Sequence, residues 1–565
     1  MNLLSPFTST SSIAYLSMEI ALEDAIPTYA GGLGILAGDT LRAAADLELP
    51  LVGVTLISRA GYFKQLIDEE GNQQEVPEYW QPEKYATRLP ARVAVTIGTR
   101  DVWLQAWLYV LQGGTSFAVP VILLDTELED NHPDDRTITH HLYGGDAAYR
   151  LKQEIVLGIG GVRMLRALGF RPYTYHMNEG HSALLALELL KQSEREPGAN
   201  HIGEPRFDIS AVRRQCLFTT HTPVEAGHDQ FPYPLVSELM DDFIDNSTLR
   251  AYAGNERMNL TCLALNLSGY VNGVAKRHAE ISTHMFPGYS VHAITNGVHP
   301  TTWTSEPIAA VFDAHIPNWR HEPELLVRAD QIPDDTLWQA HLQAKTALIQ
   351  TVKDVSGVTF DPQLPIIGFA RRMTAYKRPD LLFVDMERLA RIAAAHPFQL
   401  VIAGKAHPRD ETGKQLIHAL HKDIEALRGK LNIVFLPDYR MALGLKMVAG
   451  SDLWLNTPLR PLEASGTSGM KAALNAVPNL SVLDGWWIEG HIEGVTGWAI
   501  GDSEASANGN DAYALYEKLE KTILPLFNGP RDKWIYVMKN AVAKNAYYFN
   551  SLRMMRRYAT EAYIR

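Results

Sequence analysis

The chain is poor in cysteine, with only Cys216 and Cys262 among its 565 residues. Two cysteines do not make a disulfide framework, and no Cys/His spacing predicts a zinc site or any other metal centre. A chain without disulfides suits a reducing compartment, so we expect a cytoplasmic protein. Residues 1–18 lack a basic region and are interrupted by Ser, Thr and Pro, and they predict no signal peptide.

Long apolar runs and excess positive charge are also missing. No run approaches the roughly 18–20 residues that a membrane helix needs. The formal net charge is −12. An acidic balance disfavours nucleic acid and anionic membranes as partners, whereas a neutral sugar polymer would tolerate it. An anionic ligand would therefore need a local basic patch.

Short apolar runs alternate with helical patterns along most of the chain. We expect buried strands at 49–58, 117–126, 173–177, 216–221, 289–295, 364–370, 398–404, 432–437 and 452–457, and helices at 181–192 and 378–395, the latter with Pro379 in its first turn. Such alternation predicts an α/β fold of parallel sheets with helices on both faces.

A polar, proline-containing stretch near 318–340 interrupts this alternation. Because 565 residues are too many for one compact core, we expect two doubly wound, Rossmann-like domains that face each other across a cleft. We place them at 1–325 and 340–540, with a C-terminal helix at 541–565 that packs back on the first domain. Ligands in such folds bind at the carboxyl ends of strands, which directs attention to residues that follow strands.

The densest basic patch is FARRMTAYKRPD, at the end of the predicted strand 364–370. It contains Arg371, Arg372, Lys377 and Arg378, and it opens a predicted helix, where anions bind. An arbitrary charge run is more often a solvated loop, but this position favours an anion site. Two phosphates about 5 Å apart would repel by roughly 7–13 kcal/mol at an effective dielectric of about 20, so a site for two phosphates needs several cations.

A second candidate is the small-residue loop in EASGTSGMKAALN, residues 463–475. Such a loop can turn backbone N–H groups toward an anion, and Thr467 adds a hydroxyl. We expect a helix from about Met470, with Lys471 in its first turn, where a cation opposes the helix dipole. Either this is a plain capped helix with an exposed lysine, or Lys471 binds an aldehyde cofactor whose phosphate lies on the helix N-terminus.

Several segments are informative together because of the order in which they occur along the chain. They are IAYLSMEI (13–20) with YAGGLGILAGDTL (29–41), HMNEGH (176–181), TTHTPVEAGHDQFP (219–232), GYVNGVAKRHAEI (269–281), ITNGVHPTTW (294–303), the basic patch, LPDYRMALGLKM (436–447) and the lysine loop. In this order they resemble the α-glucan phosphorylases, the glycogen, starch and maltodextrin phosphorylases. The similarity covers about 13–500, and 545–562 resembles the C-terminal helix of that family.

The resemblance implies a GT-B type glycosyltransferase fold and pyridoxal 5′-phosphate on Lys471. It implies retaining phosphorolysis at the non-reducing end of an α-1,4-glucan by inorganic phosphate, which gives glucose 1-phosphate, with the cofactor phosphate as acid and base. The cofactor-binding positions correspond to Lys471, Thr467, Ser468, Arg371, Tyr439 and Arg440, although the family often has Lys at the position of Arg371. The positions that hold substrate phosphate correspond to Arg372 and Lys377.

The sugar-binding positions follow from the same resemblance. They correspond to Gly31, Gly32, Leu33, Asn296, Tyr376, Glu463, Ser465, Gly466 and His221, with Glu179 and His181 in the pocket beside them. The N–H of Gly32 would also contact phosphate, and the main-chain carbonyl of His221 would lie near the anomeric carbon. The chain is short for the family, so no regulatory site is carried over, and the resemblance allows a homodimer.

Three other functions compete with this interpretation. A nucleotide-sugar glucan synthase of the same fold also opens with a Gly-rich loop such as 31–34, but it has no use for Lys471. A glucan-binding protein without catalysis would need none of Arg372, Lys377 and Lys471. A two-carboxylate glycosidase is rejected, because Glu463 has no partner carboxylate in a matching segment.

Overall fold

The computed structural model describes residues 3–195, 206–224, 227–240, 243–501 and 510–564. Within the predicted motif 219–232, Glu225 and Ala226 lie outside the described residues. The strands are β1 Ile13–Leu16, β2 Leu51–Leu56, β3 Lys64–Ile67, β4 Gln73–Val76, β5 Thr87–Ile97, β6 Arg100–Gln112, β7 Ala118–Asp125, β8 Thr174–Asn178, β9 Cys216–Thr219, β10 Gln230–Pro232, β11 Arg257–Asn259, β12 Tyr270–Gly273, β13 His292–Ala293, β14 Ile366–Ala370, β15 Gln399–Ala403, β16 Asn432–Leu436, β17 Leu453–Asn456, β18 Asn479–Val482 and β19 Gly497–Ile500.

The helices connect these strands and cover the sheets. They are α1 Ser5–Thr8, α2 Gly32–Asp46, α3 Pro133–Arg136, α4 Ala147–Ile155, α5 Gly161–Ala167, α6 Leu184–Gln192, α7 Ile209–Gln215, α8 Tyr233–Met240, α9 Asn246–Ala253, α10 Leu260–Leu267, α11 Lys276–Met285, α12 Pro300–Trp303, α13 Glu306–His315, α14 Asp334–Ser356, α15 Met386–Ala395, α16 Glu411–Ala426, α17 Met441–Gly450, α18 Thr467–Leu474, α19 Trp487–Gly490, α20 Asp511–Lys518, α21 Leu524–Asn528, α22 Arg531–Asn540 and α23 Ser551–Arg557.

The first half of the chain forms a nine-stranded sheet in the order β13-β12-β9-β8-β1-β2-β7-β6-β5. Its strands are parallel except for β5 and β6, which pair antiparallel at one edge. Strands β1, β2 and β8 are buried at every position, because helices cover both faces. The first strand, β1, lies in the middle of the sheet. The next strands are added on its β2 side and later ones on its β8 side, so the strand order changes direction between β1 and β8.

The second half forms a six-stranded sheet, all parallel, in the order β16-β15-β14-β17-β18-β19. This is the strand order of a Rossmann fold, which grows outward from its first strand and then reverses. The reversal lies between β14 and β17. The predicted α/β class with parallel sheets is confirmed.

The predicted strands are mostly confirmed, but the strand at 289–295 and the helix that follows the basic patch differ from expectation. The interval 289–295 contains only the two-residue strand β13. No helix begins at Pro379: short 3₁₀ turns occupy Ala375–Lys377 and Leu381–Phe383, and α15 begins at Met386. The physical reason is that Arg378 adopts a left-handed φ of 46°, and the Asp385 carboxylate caps the later helix at the N–H of Arg388.

The predicted start of the lysine helix is also wrong. Helix α18 begins at Thr467, so Lys471 lies in its second turn and not in its first. Gly466 precedes the helix with a φ of 92°, a left-handed conformation that glycine adopts without strain. The opposition of Lys471 to the helix dipole is therefore weaker than expected, because that effect fades after the first turn.

Two packing contacts join segments that are far apart in sequence. Residues Trp303 to Leu337 share an apolar cluster with the second sheet, so the stretch near 318–340 is packed rather than free. The C-terminal residues Leu552 to Tyr563 pack with β1 and β2 of the first sheet. No helix in the described ranges is both long and apolar enough to cross a membrane.

Candidate active site

One cavity of about 610 Å³ lies where the carboxyl ends of the two sheets meet. Residues that follow β1, β8 and β9 line it from one side, and residues that follow β14, β15, β16 and β17 line it from the other. The strand order of each sheet changes direction at this place, between β1 and β8 in the first sheet and between β14 and β17 in the second. Such reversals open crevices for ligands in α/β sheets.

All the site residues that the family resemblance implies line this single cavity. They are Gly31, Gly32, Leu33, Glu179, His181, His221, Asn296, Arg371, Arg372, Tyr376, Lys377, Tyr439, Arg440, Glu463, Ser465, Gly466, Thr467, Ser468 and Lys471. They come from segments more than 400 residues apart in sequence. Their roles remain predictions, whereas their common location is a feature of the fold.

The glycine-rich loop is held by a buried carboxylate that sequence reasoning missed. Glu19 accepts the N–H of Ala30 at 2.6 Å and that of Gly31 at 3.1 Å. A Cβ on Gly34 would lie 2.6 Å from the Glu19 carboxylate, so only glycine allows this approach. Gly32 is the first residue of α2, and its N–H has no acceptor among the residues that the structure describes. This end of α2 is an anion-binding position.

The basic patch divides into three parts. Lys377 donates to the Glu463 carboxylate at 2.6 Å, and Arg371 donates to the same oxygen and, at 2.6 Å, to Asn456. Within the described part of the chain, the guanidinium of Arg372 has no hydrogen bond or ion pair. It faces the loop, since a Cβ on Gly31 would lie 3.3 Å from its Nη2.

Arg378 does not belong to the cavity, which corrects its inclusion in the anion site. Its guanidinium donates to the carbonyls of Thr457 and Pro458 and to the Asp511 carboxylate at 2.6 Å. The left-handed backbone at this residue turns the side chain away from its three neighbours in the patch. Arg378 therefore stabilises the loop that follows β17.

Glu463 is an ionised carboxylate. Burial raises its pKa, but the charges of Arg371 and Lys377 outweigh burial and bring the pKa to about 2. Its backbone N–H donates to Asp484 at 2.8 Å. Burial and the Glu463 charge raise the pKa of Asp484 to about 6, but Asp484 does not line the cavity. Glu463 cannot supply a proton at neutral pH, which agrees with the rejection of a glycosidase.

Lys471 is a buried amine without an acidic partner. Only 7% of the residue is exposed, and burial lowers the pKa of its ammonium group to about 8. Its Nζ lies 3.6 Å from the centroid of the Trp303 ring. In the described residues the Lys471 amine has no hydrogen bond and no ion pair, although the charge of Asp39, beside Trp303, attracts it. Burial, rather than the helix dipole, explains why this amine is easily deprotonated.

The N-terminus of α18 and the loop after β16 complete this side of the cavity. Ser468 accepts a hydrogen bond from the indole of Trp454 at 3.2 Å. Tyr439 is half-buried, and the desolvation of its hydroxyl raises the pKa of that group to about 12. Arg440 is already engaged: it forms ion pairs with Asp438 at 2.6 Å and with Glu78 of the first half.

Two buried side-chain oxygens of cavity-lining residues have no hydrogen-bond partner among the residues that the structure describes. They are Oδ1 of Asn296 and Oγ of Ser465, which are 3% and 6% exposed as residues. A buried polar atom without a partner costs free energy unless a ligand or water satisfies it. Both atoms lie where the resemblance implies sugar contacts. Their free hydrogen-bonding capacity is compatible with a ligand rich in hydroxyl groups.

The segment after β8 organises the wall around His221. Glu179 has a φ of 76°, and its carboxylate accepts the N–H of His221 at 2.8 Å and the hydroxyl of Thr222 at 2.9 Å. The His221 ring bonds Asn178 at 2.6 Å, and burial lowers the pKa of this imidazole. Burial lowers the pKa of His181 to about 3. Both imidazoles are therefore neutral at physiological pH.

Sequence reasoning also missed polar residues that line the cavity: Arg150, Asp229, Lys405, His407 and Arg409, besides Glu19. Three of them stand in GKAHPRD, directly after the predicted strand 398–404. The rule that ligands bind where parallel strands end could have found these three. Arg150 and Asp229 form a half-buried ion pair of 2.8 Å between a helix and a loop, for which the sequence offers no comparable signal. No group of residues in the described ranges could hold a metal ion.

Comparison with known proteins agrees with this geometry. The Phosphorylase family, described as carbohydrate phosphorylase, matches residues 228–497. A maltodextrin phosphorylase from Thermococcus litoralis is 40% identical over 98% of this chain and 70% of its own length. Glycogen phosphorylases from Aquifex aeolicus and Mycobacterium tuberculosis are 36% and 34% identical over 98% of this chain, and over 86% and 71% of their own lengths. The chain belongs to the carbohydrate phosphorylase family.

Proposed function

We propose that this protein is an α-1,4-glucan phosphorylase that transfers a glucosyl residue from the non-reducing end of a glucan to inorganic phosphate, with retention, to give α-glucose 1-phosphate. One observation carries the proposal. The amine of Lys471 and the guanidinium of Arg372 line the same cavity, and neither has an ion-pair partner among the described residues. Two cations left without counterions in an acidic protein call for anionic ligands.

The cavity fits pyridoxal 5′-phosphate. Lys471 would carry it, because a buried amine with a pKa of about 8 is neutral far more often near pH 7 than an ordinary lysine with a pKa of 10.5, and the neutral form reacts with an aldehyde. The N-terminus of α18 with Thr467 and Ser468 would hold its phosphate together with Arg371, and Tyr439 and Arg440 would line its pocket. When bound, the cofactor phosphate supplies an acid and a base for the reaction.

The substrate phosphate would lie between Arg372, Lys377 and the N–H of Gly32. Glu463 already neutralises one unit of the positive charge on Arg371 and Lys377. Arg372 has no ion-pair partner in the described structure, although the Glu19 carboxylate attracts it from a longer distance, so most of its charge is available to phosphate. A planar guanidinium also matches two phosphate oxygens at once. These residues would hold phosphate on the face of the sugar from which the glucan departs.

The reacting glucose would meet Asn296, Ser465, Gly466, Tyr376 and Glu463. The unused oxygens of Asn296 and Ser465 would accept sugar hydroxyl groups in a dry pocket. Gly31 and Leu33 would contact the sugar from the opposite wall, with Glu179 and His181 beside them. The His221 carbonyl, whose peptide Glu179 orients, would face the anomeric carbon as positive charge develops there.

The coarser features of the protein are also part of the proposal. We assign the two sheets to a GT-B type pair of domains, 1–325 and 340–540, with 541–565 returning to the first. A cytoplasmic location is supported by the two free cysteines. The expected partners are glucan and phosphate, without nucleic acid or membrane, and a homodimer is the assembly that we would test first.

The experiment is incubation of the cofactor-supplemented protein with maltoheptaose and phosphate, followed by an assay for glucose 1-phosphate. We expect time-dependent product and shortened oligosaccharide. Transfer from a nucleotide sugar without any phosphorolysis would favour the synthase. Oligosaccharide binding without turnover by folded protein would favour the inactive binding protein, and either result would reject our proposal.

A further inference from the structure

The loop that carries Asn296 is held from behind by the C-terminal segment. The N–H of Val298 donates to the carbonyl of Phe549 at 3.1 Å, and the N–H of Ser551 donates back to the Val298 carbonyl at 2.9 Å. A Cβ on Gly297 would lie only 2.1 Å from the carbonyl oxygen of Asn550. The two backbones are thus in direct contact, and a residue other than glycine would push them apart.

Arg553 extends this contact to the two residues that precede Gly297. Its Nη2 donates to the carbonyl of Thr295 at 2.9 Å and to that of Asn296 at 3.1 Å. Its Nε donates to the carbonyl of Tyr548 at 2.7 Å. One rigid guanidinium therefore joins the start of α23 to the backbone of the loop. The flexible ammonium of lysine would reproduce this geometry only in part.

The backbone of Asn296 is fixed from the other side as well. Its N–H donates to the carbonyl of Val274, a residue that lines the cavity. The hydroxyl of Thr295 bonds the Glu489 carboxylate of the second half at 3.0 Å. With its N–H and carbonyl both engaged, Asn296 lines the cavity, and its buried Oδ1 has no hydrogen-bond partner among the described residues. Its side chain is set in place before a ligand arrives.

We propose that Arg553 is a positioning residue for glucan binding: it holds the Asn296 peptide so that the side-chain amide meets the non-reducing-end sugar. The inference rests on the proposed function in one respect, the assignment of Asn296 as a sugar contact. It adds that the C-terminal end of the chain sets the geometry of the glucose pocket. A purely structural role for Arg553 would change stability and leave sugar affinity unaltered.

The test compares Arg553→Ala and Arg553→Lys with wild type in phosphorolysis of maltoheptaose. Loss of a charged donor to two carbonyls should raise KM for the glucan by about tenfold, with KM for phosphate changed less than about twofold. Arg553→Lys should recover part of the loss and also covers the case in which the alanine variant does not fold. Arg557→Ala is the matched control, since Arg557 lies one turn away and its ion pair within the described chain is with Glu561, just after the end of α23, at 2.7 Å.

A double-mutant cycle with Asn296→Ala separates positioning from general stability. If Arg553 acts through Asn296, Arg553→Ala should change glucan affinity less than about twofold in the Asn296→Ala background. Additive effects, or an unchanged KM for glucan in a folded Arg553→Ala enzyme, would overturn the inference while leaving phosphorolysis established. If wild type forms no glucose 1-phosphate, the proposed function fails instead, and maltoheptaose affinity by calorimetry then tests the same cycle.

Discussion

The ammonium group of Lys471 lies over the indole ring of Trp303, 3.6 Å from the ring centroid. The indole N–H, which lies in the plane of the ring, donates to the buried Asp39 at 2.9 Å. The amine thus rests on the aromatic face, whereas the Asp39 carboxylate lies at the edge of the ring. This arrangement tolerates a cation, because a ring face attracts positive charge, but it leaves the amine free of an acceptor.

Removal of this amine should remove the cofactor. Lys471→Ala protein should show no near-ultraviolet or visible absorbance from bound pyridoxal phosphate, and it should form no glucose 1-phosphate. Absorbance spectra of purified protein before and after cofactor addition are the measurement. Lys446→Ala, which alters a lysine bonded at 3.2 Å to Thr351, is the control and should keep the chromophore. A spectrum of Lys471→Ala identical to that of wild type would reject the attachment site.

The same amine should make the cofactor-free protein more stable at high pH. Its pKa is about 8 in the folded protein and 10.5 for an ordinary lysine, so the buried charge destabilises the fold fully below pH 8. That penalty, about 3 kcal/mol, should disappear as pH rises through 8 toward 10.5. Denaturant unfolding at several pH values should show the gap between Lys471→Met and wild type closing over this interval. A constant gap would contradict the assigned pKa.

Glu463 should have the opposite dependence on pH. Its pKa is about 2 when folded and 4.5 for an ordinary glutamate, so its ionised form stabilises the fold above pH 4.5. Glu463→Gln should cost about 3 kcal/mol of unfolding free energy near neutral pH, and the difference should shrink as pH falls from 4.5 toward 2. Urea titrations measure it. Glu425→Gln, in an exposed pair with Arg428, should change stability by less than about 1 kcal/mol.

Arg372 and Arg378 should behave differently although both belong to the basic patch. Arg372→Ala should raise KM for phosphate by roughly 10- to 100-fold, because it removes a charged donor without a competing protein partner. Arg378→Ala should reduce stability and leave KM for phosphate within about threefold, since Arg378 bonds Thr457, Pro458 and Asp511 outside the cavity. Initial rates at varied phosphate concentration measure KM for phosphate in both variants. Equal effects of the two substitutions would refute the division of the patch.

The sequence was most informative where a buried strand ends in a polar or glycine-rich turn. Arg371 and Arg372 after β14, Glu179 after β8 and the loop after β17 were found in this way, because parallel strands read as short apolar runs. Errors occurred where a single residue changes the direction of the backbone. Left-handed conformations at Arg378 and Gly466 shifted two helix starts, and the helical pattern around them carries no sign of this.

Local patterns along the chain are enough to establish the class of fold and the inventory of charged and small residues, since strand and helix periods, turn residues and motif order are local properties. The ion-pair partners of the cations, in contrast, follow from how remote segments pack. The ion-pair carboxylates of Arg371, Lys377 and Arg378 lie 86 to 133 positions away, whereas Arg372 has no ion-pair partner in the described chain. Charge pairing, burial and the contact of Arg553 with Asn296 depend on distances between elements that are remote in sequence, and those distances exist only after the two sheets and the C-terminal segment have packed.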